Sequence, residues 1–358
     1  MIRWYDKILL CIENSCYSLK NSFSSRKGID GMKNYFTIDS LSSGRQCLDW
    51  IQNSCEKYQK DGYIIVFVFN LHALAVINSL IEIGAPASCI LLVKTEDSAL
   101  HAFYEDGQIR NKILNQLRFL GVRVKAYSFV DFRKESHLGT IETIIFSKNE
   151  ELVEASCIML VNCSNPIVSP DLVEVIDQAD LVWMDDHLVV NDNFETNDKN
   201  ILAAGTGTKL DKISASHCSE RDKLSPYLIG EHLAKALFEM FDNSENAAEE
   251  GREKGFFSIH RECHLPGGYT YLYLQRNESD LDKLKRFKTS SKDGEFRLYV
   301  DQHDKISGLH CLFYGYLPTE NLVQLCGIHL STFPWLDEAN DLFMFFQQPR
   351  VLAVFHDR

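Results

Sequence analysis

A phosphate-bearing cofactor leaves a recognisable signature: a buried strand, a tight glycine-rich turn, and a helix whose first N–H groups face the anion. Residues 63–69 are apolar throughout. Ala73, Val76, Ile77, Leu80 and Ile81 then follow at helical spacing, so the turn Phe69-Asn70-Leu71-His72-Ala73 stands where such an anion would bind. It holds no glycine, and none occurs between Tyr63 and Ile83. Side chains occupy the space that phosphates need. The next apolar run, 89–93, leads into Lys94, where an acidic residue would hold a ribose hydroxyl. Asn70 marks this turn as a vestigial cofactor position.

Other groupings invite chemistry and do not complete it. Cys11 and Cys16 have the C-x4-C spacing of a redox pair, but their flanks lack glycine and they read as unrelated thiols. His260, Cys263 and His264 offer two or three metal ligands, with Cys326 and His329 as the complement, whereas a structural zinc site takes four. Asp185, Asp186 and His187 are consecutive, and neighbours on a strand point to opposite faces, so a concerted general base is not built there. Lys283, Lys285, Arg286 and Lys288 form a basic cluster in what reads as a charged loop, 276–294. No G-x-S-x-G and no Walker-type loop occurs. The expectation is no catalytic residue and no metal ligand.

The elements that position these residues alternate. A helix at 46–59, a strand at 63–69, a helix at 73–81 and a strand at 89–93 make a strand–helix–strand unit. A helical face at 109–120, a strand at 122–126, strands at 142–147, 156–161 and 180–185, and a helix at 172–176 continue it. Strands at 187–190 and 201–204 precede a helix opened by Ser225-Pro226. Such alternation predicts an α/β sheet, largely parallel in its first part. After the polar stretch 242–255, strands at 269–274, 296–300 and 306–313 and a helix at 321–330 predict a small α+β module. The expected organisation is an N-terminal arm or remnant 1–45, an α/β domain 46–241, a linker 242–255, a dimerisation-like module 256–340 and a tail 341–358.

Composition narrows the classes. With 358 residues and 45% hydrophobic content the chain can bury a sizeable core. A formal charge of −13 argues against a dedicated nucleic-acid binder. No apolar run approaches the roughly 18 residues of a membrane span. Eleven scattered cysteines read as reduced thiols in a cytosolic-type compartment.

Residues 188–205, LVVNDNFETNDKNILAAG, carry an apolar strand, a turn containing Thr196, then Ile-Leu-Ala-Ala-Gly. This resembles the C-terminal flavin-binding segment of the FAD-dependent pyridine-nucleotide oxidoreductases, and the resemblance spans about 46–241. It implies that Gly205 starts the flavin contact and that Thr206 stands where that family usually has an anchoring Asp. The family's first flavin unit, with its own glycine-rich loop, has no legible counterpart in 1–45. Together with NYFTIDS at 34–40, the glycine-less stretch 63–93, residues 191–210, PGGYTYLYL at 266–274 and NLVQLCGIHL at 321–330, the sequence is similar to the family of cilia- and flagella-associated protein 61.

That resemblance implies a Rossmann-like FAD/NAD(P)-binding-type domain with a small C-terminal α+β dimerisation-like module. Gly205, Thr206 and Asn70 would be vestiges of the cofactor site, with no cofactor expected. It further implies a non-catalytic structural subunit in the cytoplasm and the axoneme of the motile cilium or flagellum. The implied partners are radial-spoke and calmodulin-associated axonemal proteins, with self-association through 256–340, and neither nucleic acid nor membrane. The competing expectation is an FAD/NAD(P)-dependent oxidoreductase that takes its flavin-binding half from another chain.

Overall fold

The computed structural model describes residues 7–12, 29, 31–38, 41–53, 62–94, 107–135, 137–164, 168–184, 187–191, 193–210, 226–241, 258–276, 284–292, 294–315 and 317–356. The chain is α/β, as expected, and divides into two compact units. One comprises Cys16–Pro166 with Cys263–Tyr269; the other comprises Met1–Ser15, Ile167–Glu262 and Thr270–Arg358. Strands and helices are numbered in chain order through both.

The first unit is built on a seven-stranded sheet. Its strands are β2 (Tyr35–Thr37), β3 (Tyr63–Phe67), β4 (Ile90–Lys94), β5 (Arg123–Ala126), β6 (Ser128–Glu135), β7 (Thr140–Lys148) and β8 (Glu151–Asn162). Helices α1 (Leu41–Asn53), α2 (Leu71–Glu82) and α3 (Gly107–Leu120) belong to it. The order is β5-β4-β3-β8-β7-β6, with β2 beside β8. β3, β4 and β5 are parallel, and β3 also pairs parallel with the C-terminal half of β8. The N-terminal half of β8 instead pairs antiparallel with β7. β3 and β4 are buried almost throughout because both faces are covered, which is why they read as unbroken apolar runs. In α2, Ala73, Leu74, Val76, Ile77 and Leu80 are buried, the face its spacing announced.

The second unit opens with β1 (Ile8–Cys11), which pairs parallel with β11 (Ile201–Ala204). β12 (Thr208–Leu210), β10 (His187–Val190) and β9 (Trp183–Met184) form a three-stranded sheet. Helices α4 (Pro170–Gln178) and α5 (Pro226–Phe241) complete this part. Ile12, Val168, Ile176, Leu188, Val190 and Ala203 share one core cluster, while Phe194, Leu202, Ala204, Ile229 and Leu233 share another. β11 therefore buries side chains on both of its faces.

The C-terminal module is a five-stranded sheet, ordered β13 (Ser258–Leu265), β14 (Tyr269–Arg276), β17 (Ile306–Tyr314), β16 (Gly294–Val300) and β15 (Lys285–Ser290). Helices α6 (Thr319–Val323), α7 (Leu342–Phe346) and α8 (Pro349–His356) come after it in the chain. Phe296, Leu298, Leu309 and Phe313 from the sheet join Leu322, Phe333, Phe345, Phe346 and Val351 in one core. Phe296 stacks on Phe346 with ring centroids 5.3 Å apart.

Several expectations change. The arm 1–45 is not an appendage: β1 belongs to one unit, while β2 and the start of α1 belong to the other. The α/β domain expected at 46–241 is likewise shared between the two units. The tail 341–358 is part of the module, because α7 and α8 bury Leu342, Phe345, Phe346 and Val351 in its core. The charged loop 276–294 contains strand β15, whose Lys285, Arg286 and Lys288 sit on a sheet edge, the usual place for strand lysines. The strand expected at 180–185 shrinks to Trp183–Met184. The helix expected at 321–330 is α6 and then, after a turn, a short 3-10 segment, Leu330–Thr332. The linker 242–255 lies outside the described residues.

Candidate functional site

In an open sheet with parallel strands, ligands bind beyond the carboxyl ends of the strands, where the strand order reverses. In the seven-stranded sheet that point lies between β3 and β8, since β4 and β5 continue on one side of β3 and β8 lies on the other. The turn 68–70 leads from β3 into α2 at this place. Counting from Val68, residues 68, 70 and 73 fall at the three small-residue positions of G-x-G-x-x-G/A. The first glycine of that pattern makes the tight turn, the second lets the backbone approach a diphosphate, and the third lets the helix pack closely on the strand.

Each of the three positions has a distinct fate. Val68 keeps the left-handed backbone, with φ at 74°, although it is β-branched and nearly fully buried. Such a conformation carries a strain of about 1–2 kcal/mol for an L-residue with a Cβ. Ala73 is completely buried, so close helix packing persists. Asn70 replaces the glycine that would face the anion, and its side chain is committed on both ends. Its Oδ1 accepts the N–H of Ala73 at 2.8 Å, capping α2, and its Nδ2 donates to the carbonyl of Cys163 at 2.6 Å. The first hydrogen bond satisfies one of the donors a bound phosphate would use. The second ties the helix start across the reversal point to the end of β8.

The surrounding groups close the same gap. Cys163 N–H donates to the carbonyl of Phe67 at 3.0 Å, and Asn162 Oδ1 accepts from Ser164 N–H at 3.0 Å. Asn162 Nδ2 donates to the Tyr35 hydroxyl at 3.2 Å, bringing β2 into the network. His72, in the first turn of α2, has its pKa lowered by burial, which favours the neutral ring over a cation that could meet a phosphate. Burial pushes the Cys47 thiol up to about 12 and raises Cys157 and Cys163 as well, so these cysteines are not nucleophiles at neutral pH. The residues present do not fit a dinucleotide at this turn.

The flavin-type position in the second unit is equally specific. Thr196 lies in the turn before β11, as the sequence predicts, with its N–H donating to the carbonyl of Ile201 at 3.0 Å and its hydroxyl donating to the carbonyl of Asp198 at 2.9 Å. Gly205 has φ at 113°, and a Cβ there would collide with the backbone carbonyl of Ile12. That carbonyl accepts the N–H of Gly207 at 3.1 Å, while Ile12 donates its own N–H to Ala204 at 2.8 Å. Glycine at 205 is required by the close passage of the segment after β1. Thr206 is exposed, and Thr208 Oγ1 donates to the carbonyl of Gly205 at 2.8 Å. Within 1–45 the sequence reading missed a strand beside this position: β1 pairs parallel with β11 along Ile8–Cys11. The next residue along the chain is Ile12, not a glycine, and residues 13–28 lie outside the described residues.

The remaining candidates do not converge. Among the described residues no three His, Cys, Asp or Glu side chains come together to hold a metal ion. Cys263 and His264 lie on β13, while the His329 Nδ1 accepts from Ser331 N–H at 3.2 Å in a local cap. Burial pushes the Cys263 thiol up to about 11. Cys16, Asp185, Asp186 and Lys283 lie outside the described residues. Lys285 pairs with Asp337 at 3.3 Å, and Lys288 approaches the buried Glu295 at 3.6 Å. Tyr271 and Tyr273 each meet His310 edge-on at 5.3 Å, so these aromatics pack within the module.

Residues 257–354 match the family model of the CFAP61 dimerisation domain. The match carries the module beyond residue 340, in agreement with the packing of α7 and α8, and points to a family of cilia-associated proteins. The fold as a whole is that of the FAD/NAD(P)-binding oxidoreductases. A ferredoxin reductase from Rhodopseudomonas palustris aligns with a TM-score of 0.60 at 11% identity, over 94% of this chain and 74% of its own. Putidaredoxin reductase, solved in covalent complex with putidaredoxin, aligns with a TM-score of 0.61 at 12% identity, over 99% of this chain and 76% of its own. The flavoprotein disulfide reductase RclA from Escherichia coli aligns with a TM-score of 0.61 at 11% identity, over 96% and 73%. At such identities the likeness is one of fold.

Proposed function

We propose that this chain is a pseudo-oxidoreductase serving as a non-catalytic structural subunit of the motile-cilium axoneme. Its site of action is the calmodulin- and spoke-associated complex at the base of the radial spoke, where it supports ciliary and flagellar beating. The observation that carries the non-catalytic part is the double commitment of Asn70: one carboxamide occupies the helix N-terminus and bridges the reversal point of the sheet. The family match of residues 257–354 supports the ciliary part and supports self-association through the C-terminal module. Its partners on this reading are radial-spoke and calmodulin-associated proteins.

The test has two arms. The purified chain is expected to be colourless, without flavin absorbance, and to give no heat on titration with NADH. Tagged in a cell with motile cilia, it is expected in the axoneme, co-purifying with spoke components. A flavin spectrum or saturable NADH binding favours the second reading, an FAD/NAD(P)-dependent oxidoreductase completed by a flavin-binding half from another chain.

A further inference from the structure

The segment 330–352 of the C-terminal module has two sides of different character. Its inward side is set by Phe333, Leu336, Leu342, Phe345, Phe346 and Val351, all buried in the core beneath the sheet. Phe333 meets Phe345 and Phe346 at steep ring angles, with centroids 6.3 and 6.1 Å apart, so the 3-10 turn Leu336–Glu338 and α7 belong to one layer. The outward side carries apolar groups as well. Among the described residues of 257–354, the exposed large apolar side chains are Tyr314, Trp335 and Met344, and two of the three stand on this layer. Trp335 is 41% exposed and Met344 is 68% exposed. The Arg350 guanidinium lies 4.5 Å from the centroid of the Trp335 ring, and Arg350 Nε donates to Gln348 Oε1 at 2.8 Å, which holds the cation over the indole. Tryptophan, arginine and methionine are the types enriched at the centres of protein interfaces. A cation over an aromatic face is attracted more strongly once water is removed from the pair.

We infer that this outward surface, centred on Trp335 and Arg350 with Met344 beside them in the layer, is where two copies of the chain associate. The inference rests on the reading that the module self-associates, and adds the place. The occupant follows from two observations. The family model that matches the module describes a dimerisation domain, which makes a second copy the occupant. The charges suit one too. A two-fold contact lays a patch against itself, so a patch of one sign repels its copy. Here Arg350 and Lys285 stand with Asp337 and Glu338, all exposed, and Lys285 already pairs with Asp337 at 3.3 Å. Both signs are therefore present to face each other across the axis, as a polar rim around the tryptophan.

The experiment joins sedimentation equilibrium of the full chain to brief hydroxyl-radical oxidation read by peptide mass spectrometry. In the dilute chain Trp335 and Met344 are expected to oxidise readily. Over the concentrations at which the mass doubles, their oxidation is expected to fall severalfold, while Phe119, 85% exposed on α3 in the other unit, keeps its rate. A two-fold interface holds each residue twice, so one substitution acts twice: Trp335→Ala is expected to weaken association by roughly a hundredfold. Met344→Glu sets two carboxylates into the contact and is expected to weaken it by roughly tenfold or more; the side chain stands in solvent in the single chain, so the melting temperature is expected to stay native. Phe119→Glu is expected to leave association unchanged. Protection of Trp335 and Met344 in the dilute monomer means that the chain covers this surface itself, and overturns the inference. A chain that doubles in mass without a change in their oxidation, or whose Trp335→Ala and Met344→Glu variants associate like the native protein, overturns the place and leaves self-association standing. A chain that stays a monomer overturns both.

Discussion

Replacing Asn70 by alanine separates the two bonds of its carboxamide from everything else in the turn. Loss of the N-cap on α2 leaves the Ala73 N–H without its acceptor, a change that typically costs about 1 kcal/mol. Loss of the bond to Cys163 strands a carbonyl on a residue that is almost fully buried, worth a further ~1 kcal/mol. The expected destabilisation is therefore about 2 kcal/mol, read as a shift of the urea midpoint at unchanged slope. A companion variant sharpens the argument. Asn70→Asp keeps the cap and gains from the helix dipole by roughly 0.3–1 kcal/mol, but it loses the donor and sets a carboxylate against the Cys163 carbonyl. It is expected to be less stable than the native protein despite its better cap. Exchange of the Ala73 amide reports the local event, faster in Asn70→Ala and protected in Asn70→Asp. An Asn70→Ala protein within about 0.5 kcal/mol of native, or an Asn70→Asp protein more stable than native, would refute the claim that this side chain bridges helix and strand.

Four further outcomes are expected. Val68→Gly relieves a left-handed backbone while giving up a buried side chain, so it is expected within about 1 kcal/mol of native, whereas Val66→Gly in the middle of β3 loses the side chain and gains nothing; urea unfolding of the pair decides. Gly205→Ala drives a Cβ into the Ile12 carbonyl and is expected to cost more than about 3 kcal/mol, while Gly84→Ala, also at positive φ but with open space around it, costs about 1 kcal/mol; thermal melts compare them. Phe346→Ala is expected to cost about 3–5 kcal/mol, and truncation after Asn340 to abolish the cooperative unfolding of the C-terminal module. Burial raises the thiols of Cys47, Cys157 and Cys163, so the unfolded chain loses these protons first. Their contribution is fully present below pH about 9, where an unfolded thiol titrates, and declines above it by up to about 1.4 kcal/mol per pH unit for each thiol; Cys47→Ala is expected to flatten the pH profile of the urea midpoint.

The buried parallel strands were legible because burial on both faces writes an unbroken apolar run, as in β3 and β4. Strands with mixed faces were not. β6 (SFVDFRKE), β13 (SIHRECHL) and β15 (KRFKTS) carry charges into the ladder and lie at the ends of their sheets, where local pattern gives little contrast. The helices in 341–358 carry a local signal in the sequence. Asp341 precedes Leu-Phe-Met-Phe-Phe and caps α7 by accepting the Phe343 N–H at 2.8 Å, and Pro349 opens α8. At the turn after β3, the missing glycines and the position of Asn70 were visible. The backbone at Val68 was not, because a left-handed valine contradicts what the residue type announces and only tertiary packing holds it there. Gly205 was found through its motif, but the reason for it was not, since the group it accommodates comes from a segment 193 positions away, at Ile12.

The carboxamide at position 70 makes any gain of nucleotide binding at this turn an uphill path. Clearing the anion site needs a small residue there, and that single change would unfasten the helix start and the neighbouring strand before any ligand could compensate. A second change at 68 would ease the bend without restoring either link. The turn thus resists opening: each substitution that would make room for an anion is paid in stability first.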